Sequence, residues 1–455
     1  MDKIRFIDLF AGMGGFRLGF EVACENIGVK SECVFTSEIK DHAIKVYSDN
    51  FQKSHIVGDI TKIHAKDIPD FDVMLAGFPC QAFSSAGKRQ GFSDTRGTLF
   101  FEIERILQEK KPSVFILENV EGLINHDKDS NSDKIGKTLT IILEKLHELN
   151  YNVNYRILDA KDFGLAQTRK RVFIVGTKSK TISLNNFPLI HTKLKDVLES
   201  GKPVMNNKLS KLLLYHFSIK ELYGKSVKDK RGGKNNIHSW DIGLKGEVSL
   251  EQRNLLKLIL LSRRNKKWAE LKGIEWMDGM PLTLNEISTF YQHPNLQEFL
   301  DDLASKNYLK FEHPKDIVVV TVDGVKKKIR QYREDLPKGY NIVAGKLSYE
   351  INKILDPEDI APTLVATDLD RVTVPEIMGI RKLTPLEQCR LFGFPDHFKV
   401  NITEKLAHDL FGNTIAVPIV TAISQRIIEQ IFLKKDEKIE NTKKSVPEQL
   451  ELIYL

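Results

Sequence analysis

The sequence predicts a doubly wound α/β domain with a mostly parallel sheet, into which a smaller domain is inserted. In the first 180 residues, nearly continuous apolar runs alternate with segments of helical periodicity. This alternation is typical of parallel strands that are covered on both faces. It stops near residue 195 and returns after about residue 376. Since ligands of such folds bind at the carboxyl ends of the strands, the residues that follow the apolar runs are the candidate site residues.

Seven apolar runs predict the strands in chain order. They are KIRFIDLF, ECVFTSEI, SHIVGD, DVMLAG, SVFILENV, VNYRILDA and RVFIVGT. Between the first two runs, Phe16, Phe20, Ala23 and Ile27 fall on one face of a helix. Similar spacing predicts helices over residues 97–110 and 136–150.

Changes in this pattern give the domain boundaries. Residues 1–194 and 376–433 form the main domain, residues 195–375 the inserted domain, and residues 434–455 a charged tail that we expect to be loosely ordered. The inserted segment holds all three tryptophans, which we expect in its core. The main domain resumes with a capping box at Thr384–Glu387. One long amphipathic helix is then predicted over residues 410–432.

Composition and charge exclude other classes of protein. The chain is 41% hydrophobic and 28% charged, as in globular domains, and its net charge of +7 is compatible with a nucleic-acid partner. It has no run of 18 apolar residues and no leader pattern at its N-terminus, so we expect no membrane span and a cytoplasmic protein. Four cysteines without a CxxC spacing predict neither a disulfide framework nor a metal site.

The first predicted strand leads into a glycine-rich turn, in FIDLFAGMGG at residues 6–15. Backbone amides at the start of the following helix can approach a ligand closely, although a tight turn alone would look the same. The dinucleotide fingerprint would need a third glycine where the chain has Arg17. Glu38 ends the second strand and Asp59 the third. An acid after the second strand is where nucleoside ribose hydroxyls are bound, so these residues predict a nucleoside cofactor.

Two further strands end in groups that are suited to chemistry. Pro79 and Cys80 follow the fourth strand, where the thiol is either a nucleophile or a small buried hydrophobe. Glu118 and Asn119 end the next strand. A half-buried Glu118 would have a raised pKa and could donate a proton, whereas a helix cap or salt-bridged acid is the alternative.

Basic residues precede the last predicted strand, in GLAQTRKRVFIVG at residues 164–176. Arg169 and Arg171 would bind a base carbonyl or backbone phosphates, or would form a solvated turn.

Taken together, these blocks resemble the motifs of the DNA (cytosine-5) methyltransferases in their usual order. The blocks are FIDLFAGMGGFRLGFE, SEIKD, GDI, DVMLAGFPCQAFSSAGKRQGFSDTRGTLFFE, FILENVEGL, DFGLAQTRKRVFIVG, RKLTPLEQCRLFGFP and FGNTIAVP. The resemblance covers roughly residues 3–178 and 345–432. It implies the Rossmann-like fold of class I S-adenosylmethionine-dependent methyltransferases, with residues 195–375 as the target-recognition domain.

The resemblance implies methyl transfer from S-adenosylmethionine to C5 of a cytosine that is flipped out of duplex DNA, with S-adenosylhomocysteine as product and no metal. Cys80 would attack C6, Glu118 would protonate or hydrogen-bond N3, and Arg169 would contact O2. The residues that would support and shape the pocket are Arg171, Asn119 and Pro79.

The resemblance also implies a cofactor pocket. Its residues would be Phe10, Gly12, Gly14, Gly15, Glu38, Ile39, Asp59, Ile60 and Asn413. Glu38 would take the ribose hydroxyls, and Asp59 the adenine amine. Many family members carry an aromatic residue at the position of Ile39, so an aliphatic side chain would pack on the adenine here.

The loop 81–97 resembles the family's segment that closes over a flipped base. The residues that would contact DNA are Gln81, Ser84, Lys88 and Arg89 in this loop, together with Gln167 and Thr363. Basic clusters at 227–234, 263–267 and 326–333 would either meet DNA or form solvated faces.

The resemblance further implies a monomeric bacterial enzyme, paired with a restriction endonuclease that acts on the same site without a stable complex. Three alternatives are disfavoured. The compact recognition region and Cys-Phe-Thr element of the family's tRNA-directed branch are not found. A silent DNA-binding regulator would not need Cys80, Glu118 and Arg169, and the glycine spacing does not fit a nicotinamide oxidoreductase.

Overall fold

The computed structural model describes residues 3–51, 56–79, 99–128, 133–275, 279–322, 325–343 and 349–433. The chain divides into two units. Unit 1 consists of Met1–Glu199, Glu358–Leu369 and Thr384–Leu455, and unit 2 of Ser200–Pro357 and Asp370–Leu383. Unit 1 is therefore built from three separate stretches of sequence. The sequence-based boundaries had placed residues 358–369 in the inserted domain.

Unit 1 is organised around a seven-stranded sheet of order β3-β2-β1-β4-β5-β7-β6. Its strands are β1 (Ile4–Leu9), β2 (Ser31–Ser37), β3 (Ile56–Val57), β4 (Val73–Gly77), β5 (Val114–Val120), β6 (Asn152–Asp159) and β7 (Lys170–Thr177). All neighbours pair in parallel except β7, which is antiparallel to β5 and β6. The predicted doubly wound, mostly parallel sheet is confirmed.

Helices cover both faces of this sheet, because the strand residues alternate between two apolar cores. The helices are α1 (Gly15–Ile27), α2 (Asp41–Asn50), α3 (Leu99–Lys110) and α4 (Lys137–Glu148). Phe6 of β1 joins Phe16 and Phe20 of α1 in one core. Ile7, the next residue, joins the core on the other face with the apolar sides of α3 and α4.

Unit 2 combines helices with three small sheets. Its helices are α5 (Lys208–His216), α6 (Leu250–Ser262), α7 (Lys267–Lys272), α8 (Leu284–Ser288) and α9 (Leu296–Ser305). Its strands are β8 (Ser226–Val227), β9 (Asn236–Ile237), β10 (Leu309–Glu312), β11 (Lys315–Val322), β12 (Val325–Tyr332), β13 (Gly339–Ile342), β14 (Lys353–Ile354), β15 (Val372–Glu376) and β16 (Gly379–Lys382). They form a five-stranded sheet of order β16-β15-β14-β8-β9 and two pairs, β10-β13 and β11-β12. Trp240 and Trp268 are buried in its core, as expected, and Trp276 lies outside the described residues.

The chain completes unit 1 with α10 (Pro385–Phe392), α11 (Glu404–Asn413) and α12 (Val417–Ile427), which a π-helical turn extends over Ile428–Phe432. The predicted capping box is present, since Thr384 Oγ1 accepts from Glu387 N and the Glu387 carboxylate accepts from Thr384 N. The prediction of one long helix over residues 410–432 was wrong. Ala416 is extended and begins a new helix, because Pro418 has no N–H and is tolerated only in a first helical turn.

By length and composition alone, the stretch Glu404–Phe432 could cross a membrane. However, 61% of its most apolar 18-residue segment is buried inside the protein. α12 packs closely along α1, where a Cβ on Gly19 would lie 2.7 Å from Val420. This burial is that of a core helix.

Candidate active site

The glycine-rich turn between β1 and α1 has a left-handed backbone. The φ angles are 56° at Phe10, 55° at Gly12 and 89° at Gly14. A Cβ on Gly14 would overlap the ring of Phe51, whereas a Cβ on Gly12 would meet nothing within 4 Å. Gly14 is therefore required for packing beneath the turn. Gly12 lies beside open space, where a ligand can approach the backbone.

Glu38 connects this turn to the end of β2. One carboxylate oxygen accepts from Gly12 N at 2.7 Å, and the other accepts from Ile39 N at 2.8 Å and Lys40 N at 2.9 Å. Three backbone donors fix the orientation of the carboxylate and leave acceptor capacity on it. The predicted ribose-binding acid thus lies directly against the predicted glycine-rich turn.

The neighbouring cofactor candidates differ in exposure. The Ile39 side chain is 70% exposed, whereas Ile60 is buried and Phe10 is partly buried. Asp59 caps the turn that follows β3, accepting from Thr61 N at 3.0 Å and Thr61 Oγ1 at 2.7 Å. These two hydrogen bonds lower the pKa of Asp59, so the carboxylate stays charged.

Asn413 lies at the end of α11, and its side-chain amide donates to Asp409 O at 2.8 Å. The carboxylate of Asp409 in turn accepts from Lys40 Nζ at 2.7 Å and contacts His42 Nε2 at 3.0 Å. This link holds the C-terminal segment against the residues that follow Glu38. Gly15 is also close to that segment, since a Cβ there would lie 2.8 Å from Ile415.

Sequence reasoning missed one acid behind the turn, Asp8 of β1, which is fully buried. Burial raises the pKa of Asp8 well above its usual value, against the opposing charge of Arg17 and a hydrogen bond from Tyr47. The Tyr47 hydroxyl donates to Asp8 Oδ2 at 3.4 Å and so connects α2 to β1. The sequence did contain a signal for this residue, because Asp8 is a single acid inside the apolar run of the first strand.

Glu118 and Arg171 form an ion pair where β5 and β7 lie side by side. Arg171 Nε is 3.0 Å from Glu118 Oε1, and the two side chains are 13% and 15% exposed. Burial raises the pKa of Glu118, although Arg171 and Arg169 oppose the shift. On its other side Glu118 is in register with Gly77 of β4, where a Cβ would lie 3.7 Å from Glu118 Oε2. The carboxyl group is thus adjacent to the strand that delivers Pro79.

Asn119 fixes the end of that strand. Its amide donates to Phe78 O at 3.3 Å, and its side-chain oxygen accepts from Val120 N at 2.9 Å. The fully buried Asn119 therefore ties β5 to the residue before Pro79, which is partly exposed. Five predicted site residues lie outside the described residues, namely Cys80, Gln81, Ser84, Lys88 and Arg89.

Arg169 has different surroundings from Arg171. Its side chain is buried, and its guanidinium donates to Leu364 O at 3.1 Å, Gly412 O at 2.9 Å and Thr414 O at 2.7 Å. It also lies over the ring of Phe392 at 5.2 Å. Arg169 thereby joins two later stretches of the chain to the main sheet.

Gln167 and Thr363 take part in the same junction. The Gln167 amide donates to Leu391 O at 3.0 Å and accepts from Leu364 N at 3.2 Å, and the side chain is fully buried. Thr363 is exposed, and its hydroxyl donates to Thr168 O at 2.6 Å. Their predicted DNA contacts remain predictions. Within the described ranges, no group of three or more His, Cys, Asp or Glu residues could hold a metal ion.

The sheet order, the glycine-rich turn into α1 and the acid after β2 are those of the class I methyltransferase fold. A family model described as C-5 cytosine-specific DNA methylase matches residues 4–429. The chain belongs to this family and is a DNA cytosine-5 methyltransferase.

Several bacterial proteins are similar over nearly the whole chain. The Type II methyltransferase M.NlaIV of Neisseria lactamica is 55% identical over 431 residues, which are 95% of this chain and 100% of that protein. The Type II methyltransferase M.NgoBV of Neisseria gonorrhoeae is 55% identical over 433 residues, with the same coverage of both chains. The Type II methyltransferase M.HgiCI of Herpetosiphon aurantiacus is 40% identical over 447 residues, which are 92% of this chain and 96% of that protein.

Proposed function

We propose that the protein is the modification enzyme of a type II restriction–modification system and methylates a flipped-out cytosine of duplex DNA through a covalent bond between Cys80 and C6. The observation that carries this proposal is the Glu118–Arg171 pair beside the end of β4. Glu118 is in register with Gly77 of β4, which is two residues before Pro79. The candidate nucleophile, Cys80, is the next residue after Pro79. The similarity to three Type II methyltransferases supports the restriction–modification role.

The described residues fit S-adenosylmethionine as methyl donor. Glu38 retains acceptor capacity for ribose hydroxyls, Gly12 has open space above it, and the exposed Ile39 can cover an adenine ring. Asp59 and Asn413 would complete the pocket. When bound, S-adenosylmethionine supplies an electrophilic methyl group to C5.

The chain's own groups would activate the base. The Cys80 thiolate adds to C6, and the electron pair moves into the ring, so that C5 becomes nucleophilic. Glu118 donates its proton to N3 and thereby removes the charge that the addition creates. After C5 has received the methyl group, the C5 proton passes to water, the Cys80 thiolate departs and N3 returns its proton to Glu118, which restores the aromatic ring and the starting state of the enzyme.

We assign the cytosine O2 contact to Arg171 and a positioning role to Arg169, which exchanges the two roles implied by the resemblance. Arg171 lies at Glu118, whereas three backbone carbonyls occupy the guanidinium of Arg169. A guanidinium beside the acid can donate to O2 while Glu118 serves N3, since the two atoms are neighbours on the cytosine ring.

The proposed chemistry is tested by incubating the purified protein with S-adenosylmethionine and a plasmid, followed by bisulfite sequencing. We expect protected cytosines in one sequence context, and none with Cys80→Ser. A duplex with 5-fluorocytosine in that context should become covalently attached to Cys80, because fluorine cannot leave as a proton does. Methylation of tRNA but not of DNA, or normal methylation by Cys80→Ser, would contradict the proposal.

The proposal includes a monomeric protein in the bacterial cytoplasm that acts independently of its restriction endonuclease. Gel filtration of the protein with and without DNA measures the oligomeric state directly.

A further inference from the structure

Unit 2 contains a cavity of about 230 Å³ at the base of the β11–β12 ribbon. The cavity is lined by strands β10 and β13, the residue that follows α6, and Lys230. Its five basic residues are Lys230, Arg263, Lys310, Lys315 and Arg330, and its one acid is Glu312. The excess of positive charge indicates an anion site.

Three of these basic residues come from different parts of the sequence. Lys230 belongs to the cluster at 227–234, Arg263 to that at 263–267, and Arg330 to that at 326–333. Three independent solvated faces would have no reason to converge on one cavity. Bringing like charges together costs free energy unless an anion binds between them, so the convergence favours a binding role over simple solvation.

Glu312 is already engaged in the wall of the cavity. Its carboxylate lies 2.7 Å from Lys310 Nζ and accepts from Asn341 Nδ2 at 2.9 Å and from Tyr332 Oη at 3.2 Å. Burial opposes the charge of Glu312, but these hydrogen bonds lower its pKa overall. Glu312 thus offsets the charge of Lys310, and the other basic residues of the lining give the cavity its net positive charge.

The remaining cations are suited to a ligand that enters from solvent. Lys230 and Arg330 are exposed, and the Lys315 ammonium lies 4.4 Å from the ring centre of Tyr332. In the part of the chain that the structure describes, these three make no ion pair with an acid. Arg263 forms the floor, held by the Asn341 side-chain oxygen and by contact with Gly279, where a Cβ would lie 2.7 Å from the guanidinium.

The ribbon above the cavity indicates the type of anion. In its antiparallel register Ile317 lies opposite Arg330, and Val319 opposite Lys328. Alternate residues share a face, so Lys315, Arg330 and Lys328 lie on one face of the ribbon, with Lys328 Nζ 3.7 Å from the exposed Glu275 carboxylate. A two-stranded ribbon fits the major groove of B-DNA, and a row of cations beside it follows a phosphate backbone.

We propose that this cavity binds one phosphate of the DNA backbone and so fixes the position of unit 2 on the duplex. This inference rests on the proposed function, since it requires that DNA is the substrate. Free phosphate would meet the same cations, but the ribbon's cationic face favours a phosphate that belongs to a duplex. A backbone contact of this kind positions the protein and carries no sequence information.

The test measures how the association constant for a mixed-sequence duplex depends on salt, using the full-length protein. The plot of log K against log salt has a negative slope. Lys230→Gln combined with Arg330→Gln should make that slope shallower by about one, equally for every duplex sequence. Arg330→Lys should keep the wild-type slope, because it keeps the charge. Lys211→Gln on the exposed surface of α5 is the matched control and should also keep it. Thermal melts establish that each variant is folded.

An unchanged slope in the folded double variant would overturn the proposal. So would micromolar binding of inorganic phosphate that the double variant abolishes without a change in the DNA slope, since the cavity would then be a site for free phosphate. The slope does not depend on methyl transfer. Failure of the proposed chemistry would appear separately, as wild-type protein that binds DNA but leaves no protected cytosine in bisulfite sequencing.

Discussion

At the scale of single residues, two arginines two positions apart have different surroundings. Arg169 donates to three backbone carbonyls inside unit 1, whereas Arg171 pairs with Glu118 where β4 and β5 end and β7 begins. The same side-chain type therefore stabilises the fold at one position and lies at the proposed reaction site at the other.

Substitution should separate these two roles. Arg169→Met leaves three buried carbonyls without donors and should lower the free energy of unfolding by about 3–5 kcal/mol. Arg171→Gln should change it by about 1–2 kcal/mol but lower kcat/KM on the order of 10²-fold, because it removes a donor from the base. Urea unfolding and steady-state methylation provide the two measurements. The reverse pattern would restore Arg169 as the base-contacting residue.

Glu118 gives the reaction a predicted dependence on pH. Burial raises its pKa, so the proton that we propose it donates to N3 is retained to higher pH than on an ordinary glutamate. The proposed chemistry needs the Cys80 thiolate together with a protonated Glu118, so the rate should rise with pH, pass through a maximum and fall once both groups have lost their protons. Glu118→Gln should lower kcat about 10²-fold and remove the falling limb. Glu121→Gln, an exposed neighbour, is the control and should keep both limbs.

The same shift predicts a change in stability. The folded protein holds the Glu118 proton more tightly than the unfolded chain does. The stabilisation is therefore fully present below the ordinary pKa of glutamate and is lost as pH rises through the raised value. Glu118→Gln should flatten this part of the stability profile, as measured by urea unfolding at several pH values.

At the scale of elements, the turn between β1 and α1 combines two glycines with different functions. Gly14→Ala would both strain the backbone and overlap Phe51, so we expect a loss of about 3 kcal/mol or more in unfolding free energy. Gly12→Ala should cost only about 1 kcal/mol, because its Cβ meets nothing. It should nevertheless weaken binding of S-adenosylhomocysteine in calorimetry, since the methyl group occupies the open space. Equal losses of stability in the two variants would contradict this division.

At the scale of the whole molecule, unit 1 is completed only by the end of the chain. Four residues of α12 lie in the core that contains α1, namely Ile419, Val420, Ile423 and Ile427. Each buried aliphatic side chain contributes about 1.5–3 kcal/mol, so their removal costs about as much as a whole domain's net stability.

Truncation tests this dependence. A chain that ends at Leu383 keeps unit 2 but lacks α12, so the unfolding transition of unit 1 should be absent from its circular-dichroism melt. A chain that ends at Leu433 keeps these core residues and lacks only the charged tail, so we expect methylation and a melting temperature close to those of the full chain. Retention of the unit 1 transition in the shorter fragment would show that α12 is dispensable for folding of that unit.

Local sequence patterns determined much of this protein. Periodicity predicts the order of the strands along the chain and the helix face at Phe16 and Phe20. Hydrogen bonds between near neighbours account for the capping box at Thr384. The position of Glu38 against the glycine-rich turn was also predictable, because parallel strands bring their carboxyl ends to one edge.

Tertiary structure decided what depends on distant partners. The sequence gives Arg169 and Arg171 as equivalent basic residues, and only packing against Leu364, Gly412 and Thr414 distinguishes them. The three basic clusters of unit 2 are ordinary surface charges in sequence, and only the fold brings one residue of each to a single cavity. The reason is physical. Periodicity reports which side of an element is buried, whereas the neighbours of a charged side chain are set by long-range contacts that leave no local pattern.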